Sequence, residues 1–190
     1  MDDLKIAALT FQGLLNVKYK IVLGKKGRLT EFCIDFEKAD FFHLVGLQYL
    51  KDLPQLKKNR ELIFDKIIAD EITTCDISKS QFYKDIEQRI KDFALFENLL
   101  DSNELVFKYS KNRSSFSNIK AEYFLRTLFD NRTNYIFIDS SNGRENKLCV
   151  SFFFNDCNNY AENQITMTLL YKEKFFVDRN ISVIQLNKFK

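Results

Sequence analysis

The sequence predicts an α+β fold in which N-terminal helices and a β-hairpin precede an antiparallel β-sheet. Three observations carry that expectation. Apolar residues recur at helical spacing through most of residues 4–100 and alternate through most of the remainder. The strand-like runs are separated by short turn clusters rather than by crossover helices.

Residues 4–15 read as an amphipathic helix capped by Asp2 or Asp3. A hairpin follows, with strands at 19–23 and 29–36 around Gly24-Lys25-Lys26-Gly27. The next helix carries Phe41-Phe42-His43-Leu44-Val45-Gly46-Leu47 and is stopped by Pro54, which has no N–H to continue it. Residues 57–69 make a further helix with Leu62, Ile63 and Ile67 facing inward. Ser78-Lys79-Ser80-Gln81 has the form of a capping box and opens a last helix reaching Asp101, with Phe82, Ile86, Ile90, Phe93 and Leu100 on one side. Strands are then expected at 104–109, 121–128, 135–138, 148–154, 165–172 and 181–186, divided by turn clusters such as Asp130-Asn131-Arg132 and Ser140-Ser141-Asn142-Gly143.

With 190 residues, 5 Gly, 1 Pro and no Ser/Gly-rich linker, the chain is expected to form one domain over residues 1–190. The 4 cysteines form no Cys-x-x-Cys pair, and a single histidine cannot complete a structural zinc set, so no cofactor is expected. Asp2 and Asp3 do not open a secretory signal, and no apolar run is long enough to span a bilayer. A cytoplasmic protein with free thiols and no membrane partner is the expectation. The net charge of +3 is small, but its excess lies in residues 101–190. Between Glu104 and Glu122 there are Lys108, Lys111, Arg113 and Lys120 and no acid. Together with Phe116 this segment reads either as an RNA-tracking loop, with Lys111 and Arg113 on phosphates, or as a solvated Ser/Asn-rich loop.

His43 lies in a run that is apolar on nearly every side. It is either a satisfied core residue or an acid/base facing a pocket, since its ordinary pKa lies near neutrality. Gly46 leaves room beside it for a close approach. Lys79, at the first position of the expected capped helix, would meet a phosphate together with free backbone N–H groups, and Ser80 adds a hydroxyl. In residues 165–172 alternation puts Thr166, Thr168 and Lys172 on one face and Ile165, Met167, Leu169 and Tyr171 on the other. Ser151 shares a face with Lys147 and Cys149. Arg60, Tyr135 and Tyr171 are further candidates for phosphate or base contacts. Asp139 with Glu145 and Lys147 has the outline of a divalent-metal nuclease set, across a turn at Gly143. No nucleophile elbow, Walker loop or dinucleotide fingerprint occurs.

The runs FFHLVGLQYLKDLP, NRELIFDKI, ISKSQFYKDIEQRIKDFALFENLLDSN, NYIFID, CVSFFF and QITMTLLYKEK, in that order, resemble the phage-associated branch of the Barnase–EndoU–colicin–RelE nuclease superfold over about residues 17–174. The resemblance implies a Barnase/EndoU/RelE-like fold with its cleft on the sheet and a metal-independent RNA endonuclease of phage or mobile-element origin. It makes His43 the acid/base, and Lys79 and Lys172 the cations at the scissile phosphate. Ser151, Thr168 or Tyr171 become the polar groups of the sheet face, and Arg60, Ser80, Lys111 and Arg113, suggested by the residues themselves, join them as expected RNA contacts. The implied reaction is attack of a 2′-OH on its own phosphodiester, on tRNA, mRNA or a CRISPR guide RNA. With no second histidine, the other reading is a catalytically silent binding protein, such as an anti-CRISPR inhibitor of a host ribonucleoprotein or the partner of a cognate inhibitor.

Overall fold

In the computed structural model, helix α1 (Asp3–Gln12) begins where the sequence offers a cap. One Asp2 carboxylate oxygen accepts the Lys5 N–H at 2.9 Å and the other accepts the Thr74 N–H at 2.7 Å. The structure describes residues 2–114, 116–155 and 157–189. Its contacts divide the chain into a helical unit, made of the segment up to Leu15 with Glu37–Glu97, and a sheet unit, made of Asn16–Phe36 with the chain from Asn98 onward.

Besides α1, the helical unit contains α2 (Lys38–Leu44), α3 (Arg60–Ile68), α4 (Thr74–Ile77) and α5 (Lys84–Asp92). Its core is phenylalanine. The Phe41 ring meets those of Phe11, Phe64 and Phe93 at 5.6, 5.3 and 5.7 Å, largely edge to face. Two expectations are corrected here. The histidine helix does not run to Pro54 but ends at Gly46, whose φ of +88° is the left-handed conformation that closes helices. The space beside Gly46 is filled from within, because a Cβ there would lie 2.8 Å from Ile86 Cγ2. Nor does a helix start at Ser78. Thr73 caps α4, accepting the Asp76 N–H at 3.3 Å, and α5 starts only at Lys84. The long expected helix is broken further by a 3₁₀ turn at Phe93–Leu95, after which α6 (Phe96–Asp101) completes it.

In the sheet unit every expected strand is present: β1 (Val17–Lys25), β2 (Arg28–Ile34), β3 (Leu105–Lys108), β4 (Tyr123–Phe129), β5 (Arg132–Asp139), β6 (Leu148–Phe154), β7 (Ile165–Phe176) and β8 (Ile181–Asn187). Among the described residues they form one antiparallel sheet in the order β2-β1-β7-β3-β4-β5-β6, with β8 on β7. Two-residue turns with both φ positive, Lys26-Gly27 and Asp130-Asn131, join β1 to β2 and β4 to β5, a geometry that suits the strand twist. The edges β2 and β6 are tied to each other. Lys147, just before β6, donates its N–H to Cys33 O at 2.9 Å and accepts the Asp35 N–H at 3.2 Å, a parallel bridge that seams the sheet.

Two bulges re-aim the candidate side chains. Val22 pairs with Tyr171 and Leu23 with Leu169, so Leu170 is an extra residue in β7. Buried residues on β7 are therefore Met167 and Leu169 before the bulge, and Lys172 and Lys174 after it. Leu170 overhangs β1 at Gly24, where a Cβ would lie 2.7 Å from its Cδ1. The predicted face shared by Thr168 and Lys172 is thus corrected: Thr168 shares a face with Tyr171, and Lys172 turns inward. Likewise Val150 is extra in β6, which separates Ser151 from Cys149.

Candidate functional site

Helix α2 carries its phenylalanines to the core and its imidazole outward. Phe41 and Leu44 are buried, whereas His43 is half-buried, with its ring edge-on to Phe42 at 5.9 Å. The Glu37 N–H donates to the Asp40 carboxylate at 2.8 Å and fixes the start of the helix. The Gln48 amide reaches back toward the His43 carbonyl at 3.5 Å. Burial and then the Arg60 guanidinium hold the His43 pKa below its ordinary value of 6.5, so the ring is neutral at pH 7. Arg60 opens α3 directly after its cap Asn59, and its guanidinium lies 5.7 Å from the Phe42 ring centre.

Two hollows open in this unit, one at Phe42 and one at Arg60. One, of about 350 Å³, is lined by Phe42, Leu47, Gln48, Leu53, Lys51 and Lys57 among others. The second, of about 340 Å³, is lined by Ala39, Lys58, Asn59, Arg60 and Glu61. Lys51, Lys57, Lys58 and Arg60 are exposed and form no ion pair among the described residues. Elsewhere in this unit lysines are paired: Lys38 with Asp65 at 2.7 Å, Lys66 with Glu71 at 2.6 Å, and Lys84 and Lys91 with Glu87 at 2.8 and 2.7 Å. The first hollow, apolar and rimmed by Lys51 and Lys57, suits a base with its phosphate, and the second carries Arg60, the cation that acts on His43; His43 itself lines neither.

Lys79 and Ser80 are placed differently from their expected helix start. Lys79 is exposed just after α4 and pairs with Asp76 at 3.0 Å. Ser80 is buried; it donates to Asp52 Oδ1 at 2.5 Å while its hydroxyl accepts the Phe82 N–H at 3.1 Å. The cation whose field reaches His43 is Arg60, not Lys79.

In the sheet unit, Lys172 is 1 % exposed. Its ammonium donates to Leu100 O and, at 2.6 Å, to Ser102 O, satisfying carbonyls at the end of α6. Burial brings its pKa down to about 8, against the opposing pull of Asp101. Lys174 pairs with Asp101 at 2.8 Å, and Tyr19 donates to the same carboxylate. Burial acts to raise the Asp101 pKa, but hydrogen bonds from Lys174, Tyr19 and Gln185 outweigh it and hold it low. Spacing along the sequence did not reveal this network, because it depends on the β7 bulge.

The remaining candidates are dispersed over the same unit. Tyr171 donates to Glu173 at 2.9 Å, Thr168 is exposed on the same face, and Ser151 is half-buried opposite Phe137. Lys111 and Arg113 are exposed on the β3–β4 connection. Lys147 pairs with Glu122 at 2.7 Å and bonds the Ser140 hydroxyl at 2.6 Å, so its ammonium is engaged by groups other than Asp139 and Glu145 of the suggested set. Among the described residues no group of three or more His, Cys, Asp or Glu is placed to hold a metal ion. No helix among them is long and apolar enough to cross a membrane.

A sequence model of the family described as phage-Barnase-EndoU-ColicinE5/D-RelE like nuclease4 matches residues 3–188, through both units. No curated protein and no solved structure matches the chain.

Proposed function

The chain belongs to the phage-Barnase-EndoU-ColicinE5/D-RelE-like nuclease family, and from that premise we propose that it is an RNA endonuclease working without a metal ion, with His43 as its proton acceptor. The observation that carries this reading is the half-buried His43, kept neutral beside Arg60. A neutral imidazole takes the proton of the 2′-OH as that oxygen forms its bond to phosphorus. The P–O5′ bond then breaks, and the leaving oxygen takes a proton from His43 in its charged form or from water. The products are a 2′,3′-cyclic phosphate and a 5′-hydroxyl. Arg60 neutralises the phosphorane oxygens, a contribution of roughly 3–4 kcal/mol for one well-placed donor. Lys79, exposed and held by Asp76, and Lys172, buried and bonded to two carbonyls, take no part in this step.

The test is incubation of purified protein with labelled tRNA, mRNA and guide RNA in EDTA. Cleavage leaving cyclic phosphate ends is expected, and His43→Ala should reduce it by about 10²–10⁴-fold. Intact RNA across the whole panel overturns the reading, as does activity that EDTA removes and magnesium restores. The engagement of both Lys79 and Lys172 favours a second reading, a nuclease fold that binds a host ribonucleoprotein or a cognate inhibitor without cutting. Recovery of a stoichiometric partner with no RNA degraded would support it.

A further inference from the structure

We propose that the connection between β3 and β4 is a docking surface for single-stranded RNA, with Phe116 as a stacking platform and Lys108, Lys111, Arg113 and Lys120 as phosphate contacts. The proposal rests on the nuclease reading for the identity of its ligand.

The loop is built rather than loose. The Gln164 side chain accepts the Ser110 N–H at 2.8 Å and donates to Ser110 O at 3.0 Å and to the Ser114 hydroxyl at 3.1 Å. Ser114 and Ser117 are buried, and the Ser117 hydroxyl accepts the Ile119 N–H at 3.1 Å. These bonds turn the small polar residues inward as fasteners and the long cations outward. Arg113 is oriented by donating to Asn163 O at 2.7 Å.

Charge selects the ligand. No acid occurs between Glu104 and Glu122. Lys108, Lys111 and Lys120 are exposed and without an ion pair among the described residues, whereas Lys20, Lys147 and Lys174 of the same unit each hold a carboxylate. Four cations that hold no carboxylate among the described residues attract a polyanion.

The ring selects the strandedness. Phe116 is 51 % exposed, yet its edge contact with Tyr160 at 4.9 Å anchors it to the buried aromatic cluster that holds Tyr135 and Phe137. A fixed, half-open phenyl ring offers its face to an unpaired base, which a duplex does not present. An acidic protein would use the cations and leave the ring idle.

Fluorescence anisotropy with a labelled, single-stranded 2′-O-methyl RNA, which lacks the attacking hydroxyl, reads binding apart from cleavage. Phe116→Ala should weaken binding about tenfold, as loss of one base stack does. Lys111→Ala with Lys120→Ala should lower the slope of log affinity against log salt by roughly 0.7 for each lysine. Lys111 and Lys120 are exposed, so melting of their double variant should stay at the parent value, and Phe116→Leu, which keeps an apolar contact with Tyr160 but no aromatic face, controls for the packing lost in Phe116→Ala. Unchanged affinity in Phe116→Ala, equal affinity for duplex RNA, or polyglutamate competing as well as RNA overturns the proposal. Loop-dependent binding without cleavage of any RNA leaves the docking surface standing and removes the nuclease reading. Cleavage that is indifferent to all three substitutions does the reverse.

Discussion

His43 is the one histidine of the chain, and Arg60 is the charge that acts on it. Replacing Arg60 by Gln removes a cation that disfavours the imidazolium, so the His43 pKa should rise toward 6.5. A single imidazole signal in an NMR titration reports this without ambiguity. In the proposed reaction the base must be unprotonated, so the acid limb of cleavage lies below pH 6.5 in the parent and moves upward in Arg60→Gln. A titration that ignores the substitution would show that burial alone sets the pKa. At this scale the sequence was partly legible. A lone imidazole in an apolar run and the basic stretch Lys57-Lys58-Asn59-Arg60 are both visible in the letters. Their pairing is not, because it depends on how α3 returns past α2. Lys79 shows the opposite case: Ser78 and Gln81 have cap-like spacing, but Asp52 takes the Ser80 hydroxyl and the Gln81 N–H, at 2.5 and 3.0 Å.

Among the elements, α2 depends on where it stops. Gly46 holds φ at +88° with Ile86 against it. Gly46→Ala therefore meets both backbone strain and a clash and should cost about 1–3 kcal/mol, read by denaturant unfolding. Adding Ile86→Ala should relieve the clash but not the strain, so the double variant is less destabilised than the two single changes added together. A strictly additive result would remove the contact from the account. The strands were the best-predicted elements, because alternation and turn residues are local signals. Their faces were not. Each bulge is one unpaired residue, Leu170 or Val150, that follows from pairing with a distant strand and leaves no mark in the spacing.

For the molecule as a whole, the family match runs through both compact units. The sheet unit is held by a seam that no local pattern announces. Asp35 accepts from the Asn146 amide at 2.7 Å and pairs with Arg144 at 3.6 Å, beside the Lys147 bridge. Asp35→Ala removes a hydrogen bond to a charged group, a loss of about 1.5–3 kcal/mol. Amide exchange at Lys147, whose N–H crosses the seam, should quicken by about tenfold while β4 and β5 keep their protection. Uniform acceleration instead would mean that the edges open only with the entire unit. The Leu170 bulge has a further consequence. It sets the two halves of β7 one step out of phase, so a chain lacking that residue would keep each remaining side chain on its present side of an unbroken ladder. Relatives of different length would then be superposed most faithfully with a gap at this position, and a deletion there should leave Lys172 and Lys174 facing inward and Tyr171 and Glu173 facing outward.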